Sequence, residues 1–455
     1  MIRKLLSSQL RINMASGMVT TVINTVAMVV AYPIYLHFLG YEKYGVWLVL
    51  ATVLTFAQLG NLGMGQAVMK LVAEEYGRGN IEGIQHSVTT ALALLSVSGT
   101  VALIIILALK NQIVAAFKLS DENAKMVLWL LPYIGVLSIY VFVVQVFEAL
   151  LSGLGRMDLT NYIQSLGRGI SVAVAGLLLF IGFGVKSLLI GSILSYLFIH
   201  IVSLVCIWRI APIRFLQINS FDVYRCKRLL HFGGAVFGGS LISMFLSPFN
   251  KLMLSRYAGV STVPIYEIAY NGSMQVRALF EAALRAMMPE VSRIGANMTI
   301  EAKNRISQLN SHAMKLIFFF AIPIYGILAI FAPLLLRVWL GNGFVETLPG
   351  AFRIILIGAF LSLLGVPAYY TLMGTGHVRY NLGAHIAQAT INLIIILCTL
   401  IVSTVSINVV VWSSSIAMAG ATLYLILQKR RTLQRVTNES NQSGTNKENI
   451  ETVSV

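Results

Sequence analysis

The sequence predicts an all-α membrane protein of about twelve transmembrane helices, arranged as two six-helix lobes related by a pseudo-twofold axis along the membrane normal. Three observations predict it: a composition too apolar for a water-facing surface, twelve apolar runs of bilayer length, and a pattern of glycines and acidic residues that returns after about 220 positions.

Composition comes first. Of 455 residues, 57% are hydrophobic and 11% charged, whereas a soluble domain carries about 25% charged residues. Mean hydropathy is +0.80 over the whole length. Lipid must therefore be the solvent for most of the surface, and the bilayer is the first partner expected. The net charge of +16 would suit a nucleic-acid binder, but Lys and Arg mostly flank the apolar runs, where they orient a chain in a membrane. No nucleic-acid partner is expected. Cys206, Cys226 and Cys398 are scattered without a CxxC or a paired His. They offer neither a disulfide framework nor a metal site, and read as small apolar packers.

About 20 apolar residues cross a hydrocarbon core. On that rule the spans lie near 17–38, 44–68, 88–109, 126–151, 162–183, 188–208, 232–254, 263–288, 314–336, 348–372, 382–402 and 407–427. The runs are continuous rather than alternating, which favours helices over barrel strands. Arg3, Lys4 and Arg11 precede the first run, which is too long for the h-region of a signal peptide and reads as an uncleaved first span. With the N-terminus inside, cytoplasmic segments near the spans carry 20 Lys and Arg and the periplasmic loops 7. That bias puts both termini of a multi-pass membrane protein in the cytoplasm. The longest inside segment, 209–231, carries Arg214, Arg225, Lys227 and Arg228. It reads as the linker between lobes 1–208 and 232–427. The polar segment 428–455, rich in Asn, Ser, Thr and Glu, reads as a disordered cytoplasmic tail.

The halves echo each other. Gly40 to Glu82 spans 42 residues, as does Gly259 to Glu301, at an offset of 219. Leu151-Ser-Gly-Leu-Gly-Arg156 matches Leu372-Met-Gly-Thr-Gly-His377 at an offset of 221. Two matches with nearly one offset, at equivalent places in the topology, indicate a duplicated unit. An even number of helices per half gives both halves the same orientation, hence the axis along the membrane normal and a central cavity as the natural substrate path.

Ionisable residues inside spans carry the functional signal, since a charge at a helix centre costs about 2.5–3.5 kcal/mol. The eighth run holds Glu267, Asn271, Met274, Arg277, Glu281 and Arg285 at spacings of 4, 3, 3, 4 and 4, which places them on one helical face. That face lines a wet cavity, or its charges pair within the helix and serve packing. Polar stripes at helical spacing recur in Gln58 and Asn61, in Gln145, Glu148 and Ser152, in Asn161, Gln164 and Arg168, and in His385, Gln388 and Asn392. For the uncharged members, interhelical hydrogen bonding is the simpler reading. Glu148 and Arg168 are placed to pair with each other. Arg277, Arg285 and Arg168 have the planar fork that suits phosphate oxygens. Tyr270, Tyr369 and Tyr370 suit either sugar stacking or an interfacial anchor. There is no phosphate-binding GxxxxGK[ST] loop, no HExxH and no GxSxG. A non-enzymatic transporter without a cofactor is expected.

Three stretches resemble the Wzx-type oligosaccharide and polysaccharide flippases, in the multidrug/oligosaccharidyl-lipid/polysaccharide exporter superfamily. They are Tyr35-Leu-His-Phe-Leu-Gly-Tyr-Glu-Lys-Tyr-Gly-Val-Trp47, Gln58-Leu-Gly-Asn-Leu-Gly-Met-Gly65 and Ala73-Glu-Glu-Tyr-Gly-Arg-Gly-Asn80. Ile265-Tyr-Glu-Ile-Ala-Tyr270 resembles the equivalent stretch of the second half. The resemblance covers residues 10–430. It implies twelve to fourteen helices in two lobes, alternating access, and an undecaprenyl-pyrophosphate-linked glycan as substrate, from O-antigen, capsule or exopolysaccharide synthesis. It also implies cationic cavity residues, for which Arg277 and Arg285 fit best, joined in the site by Glu281, Glu267, Asn271, Arg168, Glu148, Gln58 and Asn61. A glycan polymerase and a chain-length regulator are the implied protein partners. The pair Asn250-Lys251 departs from relatives that carry an acidic residue beside a basic one, which argues against an ion-coupling carboxylate there. The alternatives are a drug/cation antiporter of the same fold, disfavoured by a first span without Asp or Glu, and a membrane glycan polymerase, disfavoured by short outside loops.

Overall fold

The computed structural model describes residues 2–61, 63–211, 222–284, 287–294 and 299–451, and among them every regular element is a helix. The chain divides into two compact units. The first comprises Met1–Pro264 with Trp339–Gly343, and the second Ile265–Val338 with Phe344–Val455.

The first unit starts with α1, Ile2–Ala57. It holds the first two expected runs, divided at Gly40, where φ is 65° and ψ −179°. Only glycine adopts that conformation cheaply. A 3-10 turn, Gln58–Asn61, leads to α2 (Met64–Gly77), α3 (Ile81–Ala108), α4 (Lys110–Phe117) and α5 (Asp121–Gly153). Then come α6 (Met157–Phe180), α7 (Lys186–Ile210) and α8 (Val223–Ala258). The core lies where α2, α3 and α5 meet, around Met64, Val68, Ile84, Phe142 and Leu150. Gly153 permits the close approach of α5 to α2: a Cβ there would fall 2.8 Å from the Met69 carbonyl oxygen, the tight contact that small residues allow between membrane helices.

The second unit takes up most of α9 (Thr262–Leu284), α10 (Met287–Ile294) and α11 (Ile300–Leu316). A π-helical turn, Ile317–Ala321, carries α11 on into α12 (Ile322–Ile330). There follow α13 (Ala332–Leu340), α14 (Leu348–Leu363), α15 (Val366–Gly374), α16 (Val378–Val402) and α17 (Ile407–Glu451). Among the described residues, nine helical stretches are long and apolar enough to cross a membrane. Val97, Ile104, Leu177, Phe180, Ile401 and Val402 are large apolar side chains left exposed on them, as a lipid-facing surface requires and a water-facing one avoids.

At two pairs of positions about 220 residues apart, the local conformations match. Asn80 caps α3 by accepting from Gly83 N at 2.9 Å, and Thr299, 219 positions on, caps α11 by accepting from Ala302 N at 3.1 Å. The two Gly-x-Gly turns are alike in detail. Gly155 and Gly376 have φ of 85° and 81°. Arg156 N donates to Leu151 O and His377 N to Leu372 O, at 3.2 and 2.8 Å. Both are left-handed helix endings that glycine makes possible.

Two boundaries differ from the sequence reading. The units part at Pro264, not within 209–231, because both ends of α8 are fastened to the first unit. Arg225 donates to Glu75 Oε1 and Ser87 Oγ, each at 2.9 Å, and Ser255 donates to the Phe117 carbonyl at 2.8 Å. Burial pushes the Glu75 carboxyl up, but the Arg225 and Asn80 hydrogen bonds outweigh it and hold the group below its ordinary value. The polar segment from Gln428 does not begin as a disordered tail: α17 runs through it to Glu451. Its first turns are docked, with Thr432 buried and Lys429 donating to Asn310. Extending an anchored helix costs little per residue.

Candidate functional site

The polar residues gather into two clusters, one inside each unit. In the first unit α1, α5, α6 and α7 enclose a cavity of about 490 Å³. Its wall includes Asn24, Tyr35, Gln145, Glu148, Arg168 and Tyr196. Glycines set the spacing: at Gly167 a Cβ would fall 2.7 Å from Ile199, and at Gly191 the same distance from the Ser171 carbonyl oxygen, so α6 and α7 lie close beneath the cavity. A run of bonds between α1 and α6 holds its flank. Asn161 donates to Ser16 at 2.9 Å, Thr20 to the Asn161 carbonyl at 3.1 Å, and Ser165 to Thr20 at 3.0 Å.

Gln58 and Asn61 reach this cavity indirectly. Gln145 donates to Gln58 Oε1 at 3.0 Å and accepts from Asn61 Nδ2. Both ends of the Gln145 amide are thereby used, so the pair from the 3-10 turn orients a wall residue. Glu148 accepts from Gln164 Nε2 at 2.9 Å. The expected Glu148–Arg168 ion pair is absent among the described residues, although both side chains line the one cavity. Arg168 is exposed and lies close enough to Tyr35 and Tyr196 to act on both electrostatically. The cavity thus presents a guanidinium and a carboxylate that do not neutralise each other directly.

In the second unit Arg277 and Glu281 form an ion pair, Nη1 to Oε2 at 2.9 Å, with side chains 27% and 26% exposed. Among the described residues, one guanidinium nitrogen, Arg277 Nε, is buried without a hydrogen-bond partner, as is the Tyr325 hydroxyl. Arg277 acts electrostatically on Tyr270, Tyr325, Tyr369 and His385, so the cluster draws on α9, α12, α15 and α16. Tyr270 stacks on Tyr266 with ring centroids 5.5 Å apart. Glu267 and Asn271 are half-buried on the same helix. Arg285 lies outside the described residues. Asn392 is buried and accepts from Ser413 at 3.0 Å, a bond between α16 and α17 of the packing kind. Arg353 donates to the Ala329 and Ile330 carbonyls and caps the end of α12; a cation belongs at that pole of a helix.

Sequence reasoning missed Asn24, Tyr35 and Tyr196 on the cavity wall and Tyr325 beside Arg277. Each is a single uncharged residue within an apolar run, and only the packing of neighbouring helices separates it from an ordinary core residue.

Polar and ionisable side chains gathered inside a helical membrane protein mark candidate functional sites. The fold is that of solved transporters of the MOP superfamily. It matches the inward-facing structure of a multidrug resistance MATE family transporter with a TM-score of 0.74 at 15% identity, over 94% of this chain and 98% of that one. The outward-facing structure of a MATE family transporter matches at 0.63 and 16%, over 95% and 96%. A MOP superfamily transporter from Pyrococcus furiosus, described as having a binding pocket of reversed polarity, also matches at 0.63 and 16%, over 95% and 96%. The chain belongs to the polysaccharide biosynthesis protein family, whose pattern matches residues 36–349. It is 20% identical over 354 residues to a Shigella flexneri protein named "Putative O-antigen transporter", covering 77% of this chain and 81% of that protein.

Proposed function

We propose that this chain is a flippase, which moves undecaprenyl-pyrophosphate-linked oligosaccharide repeat units from the inner to the outer leaflet of a bacterial inner membrane. Family membership supports the substrate class, and the transporter fold supports movement across the bilayer. The observation that carries the reading is Arg277. A guanidinium in α9, the eighth expected span, held by one carboxylate and with one N–H unsatisfied among the described residues, is a costly arrangement that a pyrophosphate would complete. Arg277 receives the diphosphate, Glu281 holds the guanidinium when the site is empty, and the tyrosines beside it offer faces for sugar rings. Twelve spans in two six-helix lobes, both termini in the cytoplasm, and alternating access complete the reading. A polymerase and a chain-length regulator would take up the product.

Complementation tests it. In a strain lacking its own flippase but making the matching repeat unit, the chain restores surface glycan. Failure with normal amounts of inserted protein counts against the substrate class. Glu148, a cavity carboxylate without a paired cation among the described residues, favours a drug/cation antiporter as the second reading. That reading predicts resistance to cationic drugs, lost in Glu148→Gln, with no effect on surface glycan.

A further inference from the structure

The second unit holds another cavity, of about 370 Å³, between α11 and the middle of α17. Its wall is Lys303, Ser307, Asn310, Lys429, Arg430, Leu433 and Gln434. Among the described residues of this wall, three are cations and none is a carboxylate. Asn310 is 5% exposed and fixed at one end, its Nδ2 donating to Thr371 Oγ1 and to the Ile306 carbonyl, both at 2.9 Å. Its free end, Oδ1, accepts from Lys429 Nζ at 3.3 Å. A lysine that merely marked the end of a span would extend towards water. Lys429 is instead turned onto a buried amide, into a space shared with Lys303 and Arg430. Arg430 is near enough to act on it as a like charge.

Lys429 and Arg430 repel one another across this cavity, and an anion seated between them removes that cost. Ser307 and Gln434 add neutral donors. The ligand's source is written on the outside of α17. Leu423 and Leu427 are exposed at 58% and 43%, and with Arg430 and Gln434 they follow spacings of 4, 3 and 4 along one helical stripe. The stripe passes from apolar to basic as it reaches the cavity. An acyl chain lying on the two leucines would bring a phosphate to the three cations.

We propose that this cavity binds the phosphate headgroup of an anionic phospholipid, on the cytoplasmic face in the topology given above. Bound there, the lipid ties α17 to α11 and fixes the end of the helix at the membrane surface. The site is separate from Arg277, so it stands or falls independently of the flippase reading.

The full chain in nanodiscs of neutral phosphatidylcholine, titrated with spin-labelled phosphatidylglycerol, tests the proposal. A cation near a membrane surface contributes about five-fold in affinity, so Lys429→Gln should weaken binding about five-fold and Lys429→Gln with Arg430→Gln about thirty-fold. Lys429→Arg should keep most of the affinity, which guards against a mere folding defect. Arg431 is exposed and lines no part of the cavity, and Arg431→Gln should change binding less than two-fold. Equal losses for Arg431→Gln and Lys429→Gln would reduce the effect to a diffuse surface field and overturn the site. Millimolar inorganic phosphate should leave the lipid in place. Its displacement by phosphate would show a site for soluble phosphate and overturn the lipid assignment.

Discussion

Replacing Arg277 by Ala separates substrate binding from charge balance. Two effects are expected, and the geometry sizes both. The first is stability. Arg277 and Glu281 meet at 2.9 Å with about a quarter of each side chain exposed. Breaking a fully buried pair costs about 3–5 kcal/mol and a surface pair about 0–1 kcal/mol. A partly screened pair falls between, at about 1–3 kcal/mol, because Glu281 is left without its partner. The second effect is transport. A hydrogen bond from a charged group contributes about 1.5–3 kcal/mol, so losing it slows translocation at sub-saturating substrate about ten- to hundred-fold. Arg277→Ala with Glu281→Ala removes both charges. The stability loss should largely disappear in the double variant, and the transport loss should remain. Arg277→Lys should fall in between, since an ammonium lacks the bidentate fork. Surface glycan per inserted molecule is read in a strain lacking its own flippase, with thermal unfolding of the purified variants in parallel. Wild-type output from the double variant would refute substrate binding by Arg277 and leave the pair as a packing device.

Three further expectations test the frame around the site. Gly155→Ala and Gly376→Ala should each destabilise by about 1–2 kcal/mol, and by similar amounts, because the two turns share one left-handed conformation with open space around each Cα; thermal melts of the two variants check this. The Glu75 carboxyl is held below its ordinary value of 4.5 in the folded chain, so its stabilising contribution is present in full above about pH 4.5 and is lost as the pH falls through the lowered value; Arg225→Ala should weaken that acid dependence in melts between pH 6 and 3. Reporters fused after Glu451 should be active only if they require the cytoplasm, and an active periplasmic reporter there would break the twelve-span reading.

The matching turns were legible in the sequence because glycine leaves a mark where the backbone needs a positive φ. Gly40 and Gly259 break helices in the two halves, and Gly155 and Gly376 end them. The capping pair of Asn80 and Thr299 shows how far this goes: the residue type changed, while an oxygen at the right distance from Gly83 or Ala302 was kept. Helix positions were legible because lipid demands long apolar runs. Partners were not. Periodicity placed Glu148 and Arg168 on faces of α5 and α6, but rotation of each helix decided that Glu148 meets Gln164. The unit boundary was misplaced for a similar reason. Segment 209–231 reads as a linker by charge, yet Arg225 lies buried against Glu75 and Ser87, 138 or more positions earlier in the chain. Gly45, within the stretch that carried the family resemblance, gives no sign of its task in sequence; a Cβ there would strike the Val260 carbonyl. The basic cavity at Lys429 was hidden for the opposite reason, since a run of Lys and Arg after an apolar helix looks like any span end.

The central claim concerns movement of a lipid-linked glycan, and reconstitution measures it directly. The purified chain is placed in vesicles with a fluorescent undecaprenyl-pyrophosphate oligosaccharide, and the fraction accessible to an external quencher is followed over time. The account predicts rapid equilibration between leaflets with the wild-type chain, about ten-fold or more slower with Arg277→Ala at low substrate. Equilibration no faster than in protein-free vesicles, with correctly inserted protein and the matching repeat unit, would contradict it.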